Sequence, residues 1–339
     1  MLIEHHACLK RFNTFGVAAR ARRLIHLKAL ADLPHALEAL AGQDQEPLIL
    51  GGGSNLLLAG DLDATVLRID LRGRQVIEQP IMPGEAIVEA AAGEPWHEFV
   101  LWTLEQGLYG LENLALIPGT VGASPLQNIG AYGVEMRDHF ESLDAVHLDS
   151  GEIRRFTAAD CGFGYRDSLF RRAESRWLIL WVRFRLCRTP RLHLDYPDLR
   201  DRIVADAATP HAVSEAVIAI RRSKLPDPAV LGNAGSFFRN PVLPAAEVEA
   251  LKARHPGLPA HPADQPGRSK LAAGWLIEQC GWKGHRAGDA GVHERHALVL
   301  VNHGNASGAQ ILALAHAIQR SVHQRFGIRL EPEPKIVGA

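Results

Sequence analysis

One stretch narrows the folds open to this chain more than any other. Residues 114–133 read LALIPGTVGASPLQNIGAYG, with four glycines, two prolines and a run of small side chains. Each glycine loses more backbone freedom on folding than any other residue, so this composition is costly to order. It survives where backbone must come within touching distance of something bulky. Structureless loops of about 20 residues are uncommon inside compact domains and are usually functional. The amides of Gln127 and Asn128 and the hydroxyl of Tyr132 supply donors for the polar edges of a flat ligand. A ligand cradle is the expectation; a plain Gly/Pro connector is the other reading. The stretch alone does not name the ligand.

With 339 residues the chain has room for two or three domains. Its 47% hydrophobic and 22% charged content is that of a soluble globular protein. A formal net charge of -1 speaks against a nucleic-acid partner, which calls for a basic stripe. The basic clusters at 20–23 and 221–224 remain compatible with a phosphate. The opening MLIEHHACLKRF holds no apolar segment of signal-peptide length. No run approaches the ~18 apolar residues of a membrane helix. Cys8, Cys161, Cys187 and Cys280 lie far apart with no CxxC pair, which fits a reducing cytoplasm and argues against a disulfide framework or zinc knuckle. A cytoplasmic protein without membrane insertion is expected.

Punctuation along the chain predicts mixed elements. Helices are expected at 32–41, 95–106, 214–224, 244–255 and 269–280, and strands at 47–50, 64–71, 87–92, 177–186 and 297–302. Asp149, Ser150 and Gly151 mark a hairpin between 145–148 and 152–156. Ser307 is placed to cap a long amphipathic helix whose apolar stripe is Ile311, Leu314, Ala315, Ile318 and Val322, ended by Gly327. A last strand is expected to lead into Glu331, Pro332 and Glu333. Hairpins and helices without regular βαβ alternation indicate an α+β fold. No GxGxxG, GxxxxGK[ST] or HExxH is present.

Four constellations carry candidate chemistry. Gly51, Gly52, Gly53, Ser54 and Asn55 follow a strand; consecutive glycines there form either an anion-binding nest or a tight strand exit. Phe163, Tyr165 and Arg166, set among Gly162 and Gly164, form either a site wall gripping a carboxylate or a surface contact of Arg166 with Asp167. Ser236, between Gly235 and the pair Phe237–Phe238, is either a half-dry hydroxyl or a turn residue; no GxSxG surrounds it. Glu331 and Glu333 flank a proline, as a site or as a solvated acidic tail. His293 and His296 lie three apart without an obvious third ligand, so no metal site is expected.

Taken in order, these motifs resemble the UDP-N-acetylenolpyruvoylglucosamine reductase family of bacterial peptidoglycan synthesis. The resemblance covers nearly the whole chain: 13–16, 51–55, 110–119, 127–133, 164–168, 224–228, 232–238 and 330–333. The segment 194–199 around Tyr196 looks like the tyrosine loop of the type I subgroup, which closes over the substrate nucleotide. The resemblance implies a three-domain α+β flavoprotein with a vanillyl-alcohol-oxidase-like (PCMH-type) FAD-binding region and a C-terminal substrate-binding domain. Its domains would be 1–72, completed by 327–339; 73–212; and 213–326 for the UDP-sugar. FAD, non-covalent, would be held by 51–55 and by Ile117, Pro118, Gly119, Gly122, Ser124, Gln127, Asn128, Gly130, Ala131, Tyr132 and Gly133. NADPH would reduce the flavin, and the enolpyruvyl group of the UDP-sugar would then take the hydride at C3. Ser236 matches the proton donor to C2; Arg166 and Glu333 match residues that stabilise the enolic intermediate. Tyr165, Tyr196, Lys224 and Asn240 match substrate contacts. A monomer is expected, with small-molecule partners only.

Two positions depart from the family pattern: Gly52 stands where many relatives carry a larger residue, and Lys335 where arginine is frequent. The alternative enzyme is a covalently flavinylated sugar or alcohol oxidase on the same flavin fold. It needs a His or Cys tether, and 114–133 contains neither.

Overall fold

The apolar run expected at 177–186 forms the strand Trp177–Cys187, buried along most of its length because it is the middle of a five-stranded antiparallel sheet. Across that sheet the order is Ile153–Phe156, Phe140–His147, Trp177–Cys187, Glu85–Ala91 and Arg74–Ile77. Val182 stands opposite Leu143 on one side and Ala90 on the other. The computed structural model describes residues 1–77, 83–172, 176–203, 208–263 and 265–339. Among them no helix is long and apolar enough to cross a membrane.

The chain divides into two compact units. The first comprises Met1–Ala7, Arg22–Gly52 and Asp63–Arg222; the second comprises Cys8–Ala21, Gly53–Leu62 and Ser223–Ala339. Besides the five-stranded sheet, the first unit holds most of a four-stranded sheet ordered Leu2–Cys8, Arg20–Leu27, Leu62–Ile69, Leu48–Leu50. Helices Leu33–Leu40 and Trp96–Glu105 bury Leu33, Ala36, Trp96 and Phe99 in its core. There Trp96, Phe99 and Phe184 meet with ring centroids 5.4–6.0 Å apart.

The second unit has its own core around Phe15, Leu57, Phe237, Ile277, Leu300 and Ile318. Its main sheet runs Gly232–Ser236, Val299–Asn302, Ala290–Val292, Arg286–Ala287. The helix Gly308–Phe326 carries the expected buried stripe. A capping box starts it, Ser307 Oγ accepting from Gln310 N (3.2 Å) and Gln310 Oε1 from Ser307 N (2.8 Å), and left-handed Gly327 stops it. Lys335–Val337 pairs in parallel with Leu56–Leu58.

Three elements depart from the sequence reading. The stretch expected as one helix at 269–280 is a strand, Arg268–Leu271, followed by a shorter helix, Ala273–Gln279. Helix-compatible residues are drawn into a strand because Val242–Pro244 and Ala260–Pro262 both pair with them. The helix expected from 214 begins at Pro210, whose missing N–H costs nothing in a first turn, with Thr209 Oγ1 accepting from Ala212 N. The last strand follows Glu331–Glu333 instead of leading into it.

Gly308 opens the long helix with its Cα against the Leu58 carbonyl, where any Cβ would collide with backbone. Helices favour alanine over glycine by up to about 1 kcal/mol. Overpacking typically costs ~1–3 kcal/mol, so Gly308→Ala is expected to lower the thermal midpoint. A raised midpoint in calorimetry would contradict the close approach.

Candidate active site

In the first unit the loop 114–133 is tied residue by residue to its scaffold. The first turn of helix Trp96–Glu105 does much of this. Trp96 N donates to Gly119 O (3.0 Å), Trp96 Nε1 to Leu114 O (2.9 Å), and His97 Nδ1 accepts from Leu116 N (3.1 Å). Leu116, in left-handed backbone (φ 57°), is gripped on its other side by Arg221 Nε, which donates to Leu116 O at 3.1 Å. Farther along, Val121 N bonds to Glu94 O and Gly122 N to Ala92 O.

These bonds draw backbone onto backbone, and the glycines stand where they do so. A Cβ on Gly122 would run into Ala92. One on Gly51 would lie 2.6 Å from Thr120 Oγ1, and one on Gly52 would lie 2.9 Å from Gly119 Cα. A larger residue at 52 would therefore need the 119 backbone to retreat.

The end of the loop is a hairpin. Gly130–Ala131 pairs with Val134–Glu135, and Tyr132 (φ 50°) and Gly133 (φ 84°) form its two-residue turn, both positive as a type I′ turn requires. Asn128, fully buried and also left-handed, spends its amide on protein: Nδ2 donates to Glu135 Oε2 (2.9 Å) and Gly164 O (3.3 Å), and Oδ1 accepts from Arg137 N (3.0 Å). It holds the loop, while Gln127 and the Tyr132 ring stay half-buried beside it. Ser124 Oγ donates to Val121 O (2.7 Å).

Arg166 sits on the tip of a tight turn that Gly164 and Asp167 close with mutual backbone bonds of 3.0 and 3.2 Å. Its own φ is 53°, its Nη2 donates to Gly130 O (3.1 Å), and its guanidinium lies 5.4 Å from the Tyr165 ring centroid. A Cβ on Gly130 would meet Glu135 Cγ at 3.0 Å and Arg166 Nη1 at 3.5 Å. Substitution there disturbs Arg166 as well as the loop. Tyr196, on the surface, packs edge-on against Tyr132 at 5.1 Å. Half-buried Arg221 has its pKa pulled down chiefly by burial, with Tyr132 opposing and Arg166 adding to the shift.

In the second unit, Gly53 (φ 62°) is pressed on the Phe12 carbonyl. Asn13 braces the same turn, donating to Leu9 O (2.8 Å) and Val17 O (3.0 Å) and accepting from Val17 N (3.0 Å). Asn55 reaches the distant C-terminal segment: its Nδ2 donates to Glu333 O (3.4 Å) and its carbonyl accepts from Lys335 N (3.1 Å).

Ser236 ends the strand Gly232–Ser236, just past left-handed Gly235, whose N–H bonds to Asn233 Oδ1 (2.9 Å). The next residue joins two neighbours. Phe237 N donates to Leu298 O (2.7 Å), and Phe237 O accepts from Glu333 N (2.9 Å); Arg239 N then bonds to Glu331 O (3.0 Å). Segment 331–333 thus runs beside 237–239, with Glu333 bonded to the residue that follows Ser236. Asn240 Oδ1 accepts from Ala273 N (3.0 Å), capping helix Ala273–Gln279 and leaving its NH2 end for other partners.

Lys224 is exposed at the end of helix Pro210–Lys224. Lys224 and Lys283, after burial and His293, hold the pKa of His296 below the usual histidine range. His296 Nδ1 is buried without a partner among the described residues. Sequence reasoning missed Trp96, His97, Arg221 and His296 as individual site residues. The basic cluster at 221–224 carried a signal for Arg221, and the His293/His296 spacing drew notice to His296 only as a metal ligand.

Comparison with known proteins gives consistent matches. The family profile described as "UDP-N-acetylenolpyruvoylglucosamine reductase, C-terminal domain" matches residues 227–337, and "FAD binding domain" matches 21–157. The UDP-N-acetylenolpyruvoylglucosamine reductases of Pseudomonas savastanoi pv. phaseolicola and of Pseudomonas aeruginosa are each 55% identical to it, with 98% of both chains covered. The crystal structure of UDP-N-acetylenolpyruvylglucosamine reductase from Thermus caldophilus superposes with a TM-score of 0.69 over 99% of both chains, at 24% identity, and speaks to the fold.

The His97 clamp on Leu116 titrates. Burial first, then the charges of Arg222 and Arg221, lower the His97 pKa, with Glu98 opposing. A histidine held low when folded contributes stability that is complete above its unfolded pKa of about 6.5. That contribution is lost as pH falls through the folded value, where protonated Nδ1 can no longer accept from Leu116 N. His97→Gln, which keeps an acceptor that does not titrate, is expected to flatten the decline of thermal midpoint as pH falls below about 6.5. Identical slopes for variant and parent would exclude the clamp.

Proposed function

The chain belongs to the UDP-N-acetylenolpyruvoylglucosamine reductase family, and from that premise we propose how its residues divide the work. It is an NADPH-dependent flavoenzyme that reduces the enolpyruvyl group of UDP-N-acetylglucosamine enolpyruvate to UDP-N-acetylmuramate in peptidoglycan precursor synthesis. Its cofactor is FAD. Arg221 fits that group: its half-buried guanidinium, whose one hydrogen bond among the described residues goes to a backbone carbonyl, is left to meet the negative charge of the cofactor. When bound, FAD carries a hydride from NADPH to C3 of the enolpyruvyl group.

We assign FAD to 1–72, completed by 327–339, together with 73–212, and the UDP-sugar to 213–326. We place the reaction in the cytoplasm and take the working form to be a monomer. Arg166, fixed by Gly130 O and by Arg171 Nη1 on its own carbonyl (2.9 Å), holds the substrate carboxylate where negative charge develops. Fixed charge at such a point is usually the largest catalytic contribution. Ser236 gives its hydroxyl proton to C2, and Glu333 supports the enolic intermediate from the neighbouring segment 331–333. The observation that supports this pairing is the Phe237 O to Glu333 N bond, which joins Glu333 to the residue that follows Ser236. Lys224 neutralises the diphosphate; Tyr165, Tyr196 and the amide NH2 end of Asn240 contact the rest of the substrate.

Ser236→Ala is expected to leave flavin reduction by NADPH nearly intact and to slow reoxidation by substrate by ~10²–10⁴-fold. Ser236→Cys should recover part of that rate, since a thiol is the stronger acid. Stopped-flow traces of the two half-reactions decide the matter, and equal slowing of both would make Ser236 a turn residue. Lys224→Ala and Tyr196→Ala are expected to raise the KM for the UDP-sugar without changing flavin reduction. Unchanged KM in both would remove them from the substrate site.

A further inference from the structure

We infer that Asn113 is a positioning residue that ties the loop bearing Tyr196 to the cofactor hairpin and so presets Tyr196 for substrate; this rests on the reading of Tyr196 as a substrate contact. Asn113 is 1% exposed, inside the short turn Glu112–Leu114. Its Nδ2 donates to Tyr132 O and to His193 O, each at 2.9 Å. An amide NH2 has two protons, and here one goes to each loop.

The tether has no substitute. Residues 189–195 lie between the strand Trp177–Cys187 and the helix Pro197–Arg200 and belong to no helix or strand. Among the described residues, the bond to His193 O is the only hydrogen bond that holds them; Leu192 and Leu194 add apolar contact with the core. On the other side of the bridge, Tyr132 is fixed by its type I′ turn, and the same residue offers its ring to Tyr196. Carbonyl and ring belong to the same residue, so Asn113 and the ring contact act on a single loop.

The amide carries a cost that stability does not explain. Its Oδ1 is buried without a partner among the described residues, and a leucine of similar size would bury no unpaired oxygen. The amide also has one usable orientation. Turned over, it would set its oxygen against two carbonyl oxygens.

The test uses the flavin-loaded enzyme with Asn113→Asp, of equal shape but with acceptors facing both carbonyls, and Asn113→Leu, so that one variant serves if the other misfolds. Trypsin reads the tether at two exposed arginines, Arg188 just before the loop and Arg191 within it. Cleavage there is expected to accelerate at least tenfold, and the KM for the UDP-sugar to rise about tenfold, while NADPH reduces the flavin within about twofold of the parental rate. Adding Tyr196→Ala should then raise KM by less than twofold. Parental cleavage rates would overturn the tether whatever Tyr196 does. Faster cleavage with parental KM, or KM effects that multiply with Tyr196→Ala, would overturn the presetting. If Tyr196→Ala by itself leaves KM unchanged, the substrate reading of Tyr196 falls, and with it the presetting, while cleavage still judges the tether.

Discussion

Backbone lying directly on backbone is the constraint on which the flavin-binding half depends. Where 119–122 crosses 51–52 and 92–94, side chains are excluded by distance alone, and three glycines answer. Such contact is possible only if every peptide group in the crossing finds a partner, because a buried unpaired N–H or C=O is expensive. Trp96, His97 and Arg221 meet that need from two helices. The glycines remove bulk; the polar side chains replace the bonds that a regular strand would have made.

Charges divide by role. Where cations serve the scaffold they are paired: Arg183 bridges Glu89 and Asp144 on the five-stranded sheet, and Arg155 joins from the neighbouring strand. Burial by itself would raise the Asp144 carboxyl; bonds from Arg155 and Arg183 overcome it and hold the group at about 2. Near the cradle the pattern reverses. Arg221 meets a backbone carbonyl, and His97 is surrounded by arginines with only Glu98 opposing. Cations left short of carboxylates in a half-buried setting are what an anionic or electron-rich ligand completes.

Much of this was legible in the sequence, for a physical reason. Signals carried by local backbone chemistry survived folding: Ser307 as a helix cap, Gly327 as a left-handed stop, Gly151 in its hairpin, the crowded glycines of 114–133. Signals that depend on a distant partner did not. Nothing local in 268–271 announces a strand; two other segments impose it. Asn128 reads as a ligand donor yet is consumed by Glu135, Gly164 and Arg137. Asn113 and His97 read as ordinary residues, because their roles lie in carbonyls and N–H groups brought to them from elsewhere.

The joining of Asn55 to Glu333 spans 278 residues, and this has a consequence for biosynthesis. Phe15, Val17 and Leu57 belong to a core whose other members lie beyond residue 230. At about 5–20 residues per second of synthesis, these early apolar side chains emerge roughly 10–45 s before their partners. The intervening segment, Asp63–Arg222, packs largely within its own unit and has that time to fold. The nascent chain therefore carries an unfinished hydrophobic flank at its beginning. That window is where chaperone binding or aggregation would compete with assembly, and a slower ribosome would lengthen it.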